Sequence, residues 1–181
     1  MKAGITGKSA HQPENGAGAT TRRGLYTPEE RQRRDASRWT LVQGILAPAQ
    51  FLVFLVSLVL VLRFLRTGEG YEIASASVVI KTLVLYLIMI TGSIWEKVVF
   101  GKYLFAPAFF WEDVFSMLVL GLHTAYLVGL AQGWTPWTMM LVALAAYGAY
   151  VINAAQFVLK LRAARLEGEA EVRPLAAEGR A

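Results

Sequence analysis

The sequence predicts an all-α integral membrane protein, built as an antiparallel four-helix bundle. Two observations carry this. Between Trp39 and Leu62 the chain runs 24 residues without an Asp, Glu, Lys, Arg or His, and a bilayer core of about 30 Å takes roughly 20 apolar residues at about 1.5 Å rise each. Three more apolar stretches follow. With 55% hydrophobic and 17% charged residues over 181 positions, the chain accommodates about four spans with little left over.

The elements follow in order. Residues 1–24 are polar and rich in Gly, Ala and Thr, without the apolar run of a secretory signal, and read as a disordered cytoplasmic tail. Thr27-Pro28-Glu29-Glu30 has the form of an N-cap, a proline at the first helical position and a capping box, so a short charged helix is expected to start there. The first span covers about Trp39 to Leu62. The second covers about Ile73 to Trp95 and is interrupted by Lys81, which lies about 12 Å from the outer end of its helix and is expected to snorkel outward. Between Phe109 and Leu159 the only Asp, Glu, Lys, Arg or His residues are Glu112, Asp113 and His123. That stretch is too long for one helix. Gln132-Gly133-Trp134-Thr135-Pro136 divides it into spans of about Phe109 to Ala131 and Pro136 to Leu159, with Trp134 and Trp137 at interface depth. Residues 25–166 thus form a single four-span domain, and 167–181 read as a second disordered cytoplasmic tail.

Orientation follows from Lys and Arg in the flanks. Arg22, Arg23, Arg31, Arg33, Arg34, Arg38, Lys97, Lys102, Lys160, Arg162 and Arg165 fall on one side, against Arg63 and Arg66 on the other. This bias predicts both termini in the cytoplasm. The connection from Lys97 to Ala108 carries Phe100, Tyr103, Leu104 and Phe105 and is expected to lie along the membrane surface. The net charge of +5 is explained by orientation and anionic lipid, so nucleic acid is not an expected partner. The absence of cysteine removes disulfides, thiolate metal sites and thiol nucleophiles. No phosphate loop, paired-histidine zinc motif or serine elbow is present.

Polar residues inside the spans are costly, so their placement is informative. Gln43, Gln50, Glu96, Glu112, Asp113, Asn153 and Gln156 fall toward the cytoplasmic side and His123 near mid-depth. Such one-sided polarity suits a pocket opening to the cytoplasmic leaflet and not an ion pathway. Glu112 and His123 are eleven residues apart, which brings them to within roughly 20° of one helix face and about 16 Å apart, with Ser116, Val119 and Tyr126 on the same stripe. They cannot touch each other, but a ligand the size of a tetrapyrrole spans them. Glu112 and Asp113 point about 100° apart, whereas Glu96 ends the second span on the side where Glu112 begins the third, so a cross-helix carboxylate pair is available.

Each feature has a competing structural reading. Glu112 and Asp113 follow Pro107 and suit the positive end of a helix dipole, and Glu96 with Lys97 suits an interfacial ion pair. His123 suits a hydrogen bond to a neighbouring helix. Tyr147, Tyr150, Asn153 and Phe157, at spacings of three and four, suit packing.

Three segments carry a resemblance. They are Leu25-Tyr26-Thr27-Pro28-Glu29-Glu30-Arg31, the run from Arg34 to Pro48, and IWEKVVFGKYLFAPAFFWEDVFSMLVLGLHTAYL from Ile94 to Leu127, followed by Asn153-Ala154-Ala155-Gln156-Phe157 and the run from Lys160 to Arg165. Over roughly Leu25 to Leu166 the chain resembles the 3-vinyl bacteriochlorophyllide hydratase family of phototrophic bacteria. The resemblance implies a hydro-lyase that adds water across the C3 vinyl group of a chlorophyllide or bacteriochlorophyllide, giving a 1-hydroxyethyl substituent on the way to bacteriochlorophyll. The implied partners are that substrate, the lipid bilayer and other pigment-biosynthesis enzymes.

The chemistry asks little of the protein. Protonating the terminal vinyl carbon puts the cation next to the macrocycle, where it is delocalised, so one acid and one oriented water suffice and no redox cofactor or enzyme-bound metal is required. Desolvation at a bilayer edge favours the protonated form of a carboxyl group. The catalytic candidates are Glu112 foremost, with Glu96 and Asp113 as alternatives and His123 as base or as axial ligand to the substrate's own magnesium. Lys97 or Lys102 is expected to hold the substrate propionate, and Trp111, Tyr126, Asn153 and Gln156 to line the ligand. A non-catalytic pigment-binding or assembly subunit is the alternative, though it has no need of three acidic residues around one pocket. A transporter comes third, disfavoured by one-sided polarity and the lack of an internal repeat.

Overall fold

A computed structural model describes residues 25–178, with side chains described through Leu166, so the tail expected over 1–24 lies outside the described residues. Five helices follow one another: α1 (Pro28–Ala36), α2 (Arg38–Thr67), α3 (Tyr71–Phe100), α4 (Phe110–Ala131) and α5 (Pro136–Glu178). Of the tail expected over 167–181, residues through Glu178 continue α5. Four helices are long and apolar enough to cross a membrane, namely α2, α3, α4 and α5 over Pro136–Leu166. Their outer faces expose Leu52, Val59, Ile80, Leu83, Leu118 and Leu141. Apolar exposure on this scale has a stable home only in lipid, and the protein is an integral membrane protein.

Local chemistry fixes the element ends. The Thr27 hydroxyl accepts from the Glu30 backbone N–H at 3.2 Å, and the Glu30 carboxylate accepts from the Thr27 N–H at 2.8 Å, completing the capping box that starts α1. The Ser37 hydroxyl accepts from the Trp39 N–H and opens α2. Gly68 and Gly70 take positive φ of 74° and 80° at the turn into α3, as does Gly133 (69°) between α4 and α5. In that left-handed region a side chain is strained, so glycine lets the chain reverse within a few residues.

Short reversals make two antiparallel hairpins, α2 with α3 and α4 with α5, and the most extensive helix packing lies within each hairpin. The hairpins meet where α2 touches α5 and α3 touches α4. Phe54, Val61, Phe64, Val78, Leu85, Val119, Met139, Met140 and Tyr147 fill the main core. A second cluster closes the end of the bundle next to α1. There Tyr26 stacks on Phe100 at 5.8 Å, and Phe109 meets Trp95 edge-on and stacks on Phe157, each at 5.8 Å. The guanidinium of Arg34 lies 4.7 Å from the Tyr26 ring centroid, tying α1 to this cluster.

Two sequence expectations need correction. Lys81 does not snorkel outward; it is fully buried, because it shares with Ala74, Val78 and Leu85 the stripe that α3 turns to the core. Polarity is not confined to one side. Away from α1 the Tyr147 hydroxyl and Ser57 share a hydrogen bond of 2.6 Å, and the Tyr126 hydroxyl donates to Ser75 at 2.9 Å. Hydroxyl groups can satisfy one another across helices, so small polar residues are tolerated at that depth. Lys97 to Phe100 complete α3, and the connection from Gly101 to Phe109 crosses the bundle end with Tyr103 and Phe105 exposed and Ala106 and Phe109 buried.

Candidate active site

The connection from Gly101 to Phe109 lies over a buried acidic group. Glu96 comes from the last turn of α3 and Asp113 from the first turn of α4, and their carboxyl groups are in hydrogen-bonding contact. A carboxylate only accepts, so a hydrogen bond between two carboxyls requires that one of them carry the proton. Two consecutive backbone N–H groups donate to this pair: that of Phe105 to Asp113 at 2.7 Å, and that of Ala106 to Glu96 at 3.3 Å. Phe105 adopts φ of 57°, the only positive value at a non-glycine position among the described residues. Such a conformation at a bulky residue costs of order 1–3 kcal/mol, and it aims both N–H groups at the acids.

Glu112 stands one residue away and does something else. The ammonium of Lys160 on α5 donates to its carboxylate at 2.6 Å, an ion pair in which Glu112 is buried and Lys160 is about a quarter exposed. Lys160 also lies 5.1 Å from the Phe109 ring centroid. Deeper in the bundle, Asn153 donates to the Ser116 hydroxyl at 2.8 Å. Further along the same face of α4, His123 is fully buried, with Nδ1 2.8 Å from the Val119 carbonyl oxygen. A carbonyl only accepts, so Nδ1 carries hydrogen and, in the neutral ring, Nε2 presents a free lone pair to the interior. Its ring is 5.9 Å from that of Tyr147.

The expected face of α4 is therefore real: Glu112, Ser116, Val119, His123 and Tyr126 are all buried along it. The cross-helix carboxyl pair is also present, with Asp113 in place of Glu112 as the partner of Glu96. Tyr126 and Asn153 face the interior, and Gln156 is half-buried. The remaining candidates lie outside this group. Trp111 is 65% exposed and meets Phe110 edge-on. Lys97 donates to the Gly101 carbonyl at 2.9 Å, closing its own helix end, and Lys102 is exposed.

Sequence reasoning missed Lys160 as a site residue. Asn153, Gln156 and Lys160 stand at spacings of three and four, a signal that would have placed the lysine on the interior face. Among the described residues no group of three or more His, Cys, Asp or Glu is arranged to hold a metal ion. The arrangement offers a shared proton next to an apolar interior, a neighbouring carboxylate held by a lysine, and an imidazole lone pair deeper in.

Comparison with known proteins bears on what this group serves. The family model described as 2-vinyl bacteriochlorophyllide hydratase (BCHF) matches residues 26–163. The 2-vinyl bacteriochlorophyllide hydratase of Rhodobacter capsulatus is 68% identical over 151 residues, covering 83% of this chain and 88% of that protein. The protein of the same description from Cereibacter sphaeroides is 67% identical over 152 residues, covering 84% of this chain and 95% of that protein. No solved structure matches the chain. With four spans, a buried carboxyl pair and relatives alike over nearly all of their own length, the chain belongs to the 2-vinyl bacteriochlorophyllide hydratase family.

Proposed function

We propose that this protein is a membrane-embedded hydro-lyase that adds water across the C3 vinyl group of a chlorophyllide or bacteriochlorophyllide, with the Glu96–Asp113 pair as the proton source. The relatives' descriptions support the reaction, and the observation that carries the acid is the approach of these two buried carboxyl groups, on which the Phe105 and Ala106 N–H groups converge. The pair gives its proton to the terminal vinyl carbon, which becomes a methyl group. Positive charge then develops on the carbon attached to the ring and spreads into the macrocycle. Water forms the new C–O bond there and returns a proton to the carboxylate just vacated, so the atoms balance as one added water and no electrons are transferred.

The ion pair gives Glu112 a supporting role. Its carboxylate is engaged by Lys160, which suits a fixed counter-charge beside the acids better than a mobile proton. His123, whose Nδ1 is tied to the Val119 carbonyl, would offer Nε2 as a nitrogen ligand to the magnesium that the substrate carries. The charge bias of the flanks supports cytoplasmic termini in a bacterial photosynthetic membrane, and an amphiphilic product suits hand-over to other pigment-biosynthesis enzymes in the same bilayer.

The test is direct. Membranes from a pigment-free host expressing this chain are incubated with a 3-vinyl chlorophyllide in 18O-labelled water. A product heavier by one labelled water is expected. Pigment that binds without gaining mass would leave a non-catalytic pigment-binding subunit as the reading instead.

A further inference from the structure

Resting on the function proposed above, we infer that Lys81 anchors the far edge of the bound macrocycle, its ammonium receiving an oxygen acceptor on the side of the ring remote from the vinyl group. Lys81 is fully buried, and its Nζ has no hydrogen-bond partner. What lies against it is the face of Tyr150, 4.0 Å from Nζ to ring centroid, and His123 is close enough to feel its charge. An aromatic face attracts an ammonium from one side but accepts none of its three N–H bonds in the ordinary sense. A lysine turned inward at mid-depth with no acceptor beside it marks a group whose partner arrives with a ligand.

Lys81 is not isolated in this respect. His123 Nε2, Gln50 Oε1, Asn153 Oδ1 and Gln156 Oε1 are also buried without a partner, so every spanning helix contributes at least one such atom and α5 contributes two. Buried polar groups are ordinarily satisfied, and five on four packed helices point to an occupant that brings the missing partners.

The order along the bundle fits such an occupant. On α3, Lys81 precedes Glu96 by fifteen residues, roughly 22 Å of helix, and on α4 His123 follows Asp113 by ten, roughly 15 Å. The long side chains of Lys81 and Glu96 shorten the first distance when they point toward each other. Counted along the helix backbones, the interior thus presents the acid pair, then His123, then Lys81. A magnesium macrocycle presents a vinyl group at one edge, the metal at its centre and acceptor oxygens toward other edges. Two such oxygens are candidates, the ring ketone across the macrocycle from the vinyl group and the side-chain carboxylate. Lys97 and Lys102, at the rim, take no part in this contact.

The test uses the full chain in detergent at one fixed concentration, titrated with three pigments while the red absorption band is followed: 3-vinyl chlorophyllide, its propionate methyl ester, and its analogue with the ring ketone reduced to an alcohol. Lys81→Met is expected to weaken 3-vinyl chlorophyllide binding by tenfold or more. Because it removes a buried charge, the pigment-free protein should be no less thermally stable than the original. The analogue for which Lys81→Met makes no further difference identifies the oxygen that Lys81 receives. Lys81→Arg, which keeps the charge and its donors, should recover part of the affinity. If Lys81→Met and Lys81→Gln bind all three pigments as tightly as the original chain, the inference is overturned, whether or not the original chain hydrates the vinyl group. Binding that depends on Lys81 without hydration would instead overturn the proposed reaction and leave the anchor standing.

Discussion

Lys160 on α5 holds the carboxylate of Glu112 on α4 at 2.6 Å, across 48 positions of sequence. That contact separates Glu112 from its neighbour Asp113, whose carboxyl faces Glu96 instead. Adjacent residues on one helix turn thus enter different partnerships, because about 100° of rotation aims them at different helices.

Glu112→Gln is accordingly expected to lower stability more than turnover. Loss of one partner of a largely buried ion pair costs about 1–3 kcal/mol, and hydration per folded molecule should stay within about tenfold of the original, well short of the loss expected for a general acid. Thermal unfolding in detergent and single-time-point hydration measure the two. Lys160→Met combined with Glu112→Gln should be more stable than Lys160→Met alone, which strands a buried carboxylate. A hundredfold or greater loss of rate in a stable Glu112→Gln protein would return the proton donor to Glu112.

Glu96→Gln and Asp113→Asn should each reduce hydration by about 10²–10⁴-fold, the range for removal of a general acid. Pigment binding should persist, because neither change alters the interior below the pair. The double variant should lose little more than either single one, since the two carboxyls hold one proton between them. Near-original rates in both single variants would exclude the pair as the acid.

His123→Leu removes the imidazole lone pair and keeps an apolar side chain of similar bulk. Binding of a magnesium pigment should weaken by about tenfold or more, equivalent to about 1.4 kcal/mol. A metal-free pigment, which has nothing to ligate, should bind the variant and the original alike. Equal loss for both pigments would mean that His123 serves packing.

Reporter fusions at Gly70 and Gly133, both in the tight turns at the end of the bundle away from α1, should report the side opposite a fusion before α1. The positive-inside bias of the flanks predicts the periplasm for that side. A cytoplasmic signal from either turn would overturn the orientation.

Much of this architecture is legible in the residues. Long apolar runs give the four spans, and Thr27 to Glu30 spells out the capping box that starts α1. Eleven-residue spacing predicts the buried face shared by Glu112 and His123. What the sequence does not carry is partnership. Whether Glu96 meets Glu112 or Asp113 depends on the rotation of α4 about its axis and on the left-handed turn at Phe105, neither of which spacing specifies. Lys81 is misread when charge is weighed by distance to the interface alone, whereas its helical register with Val78 and Leu85 turns it inward. The hydroxyl pairs of Ser57 with Tyr147 and Ser75 with Tyr126 escape notice because small polar residues barely alter an apolar run.

Tyr26, Trp95, Phe100, Phe109 and Phe157 close the α1 end of the bundle with stacked and edge-on rings. With the axial route stoppered at that end, the proposed function requires a flat pigment to reach the interior from the side, out of the hydrocarbon itself. The concentration the protein responds to is then the pigment's density in the leaflet, set by partitioning, and not its amount in water. Saturation measured at one lipid-to-protein ratio would shift at another, and substrate and product would exchange by two-dimensional diffusion without either crossing an aqueous phase.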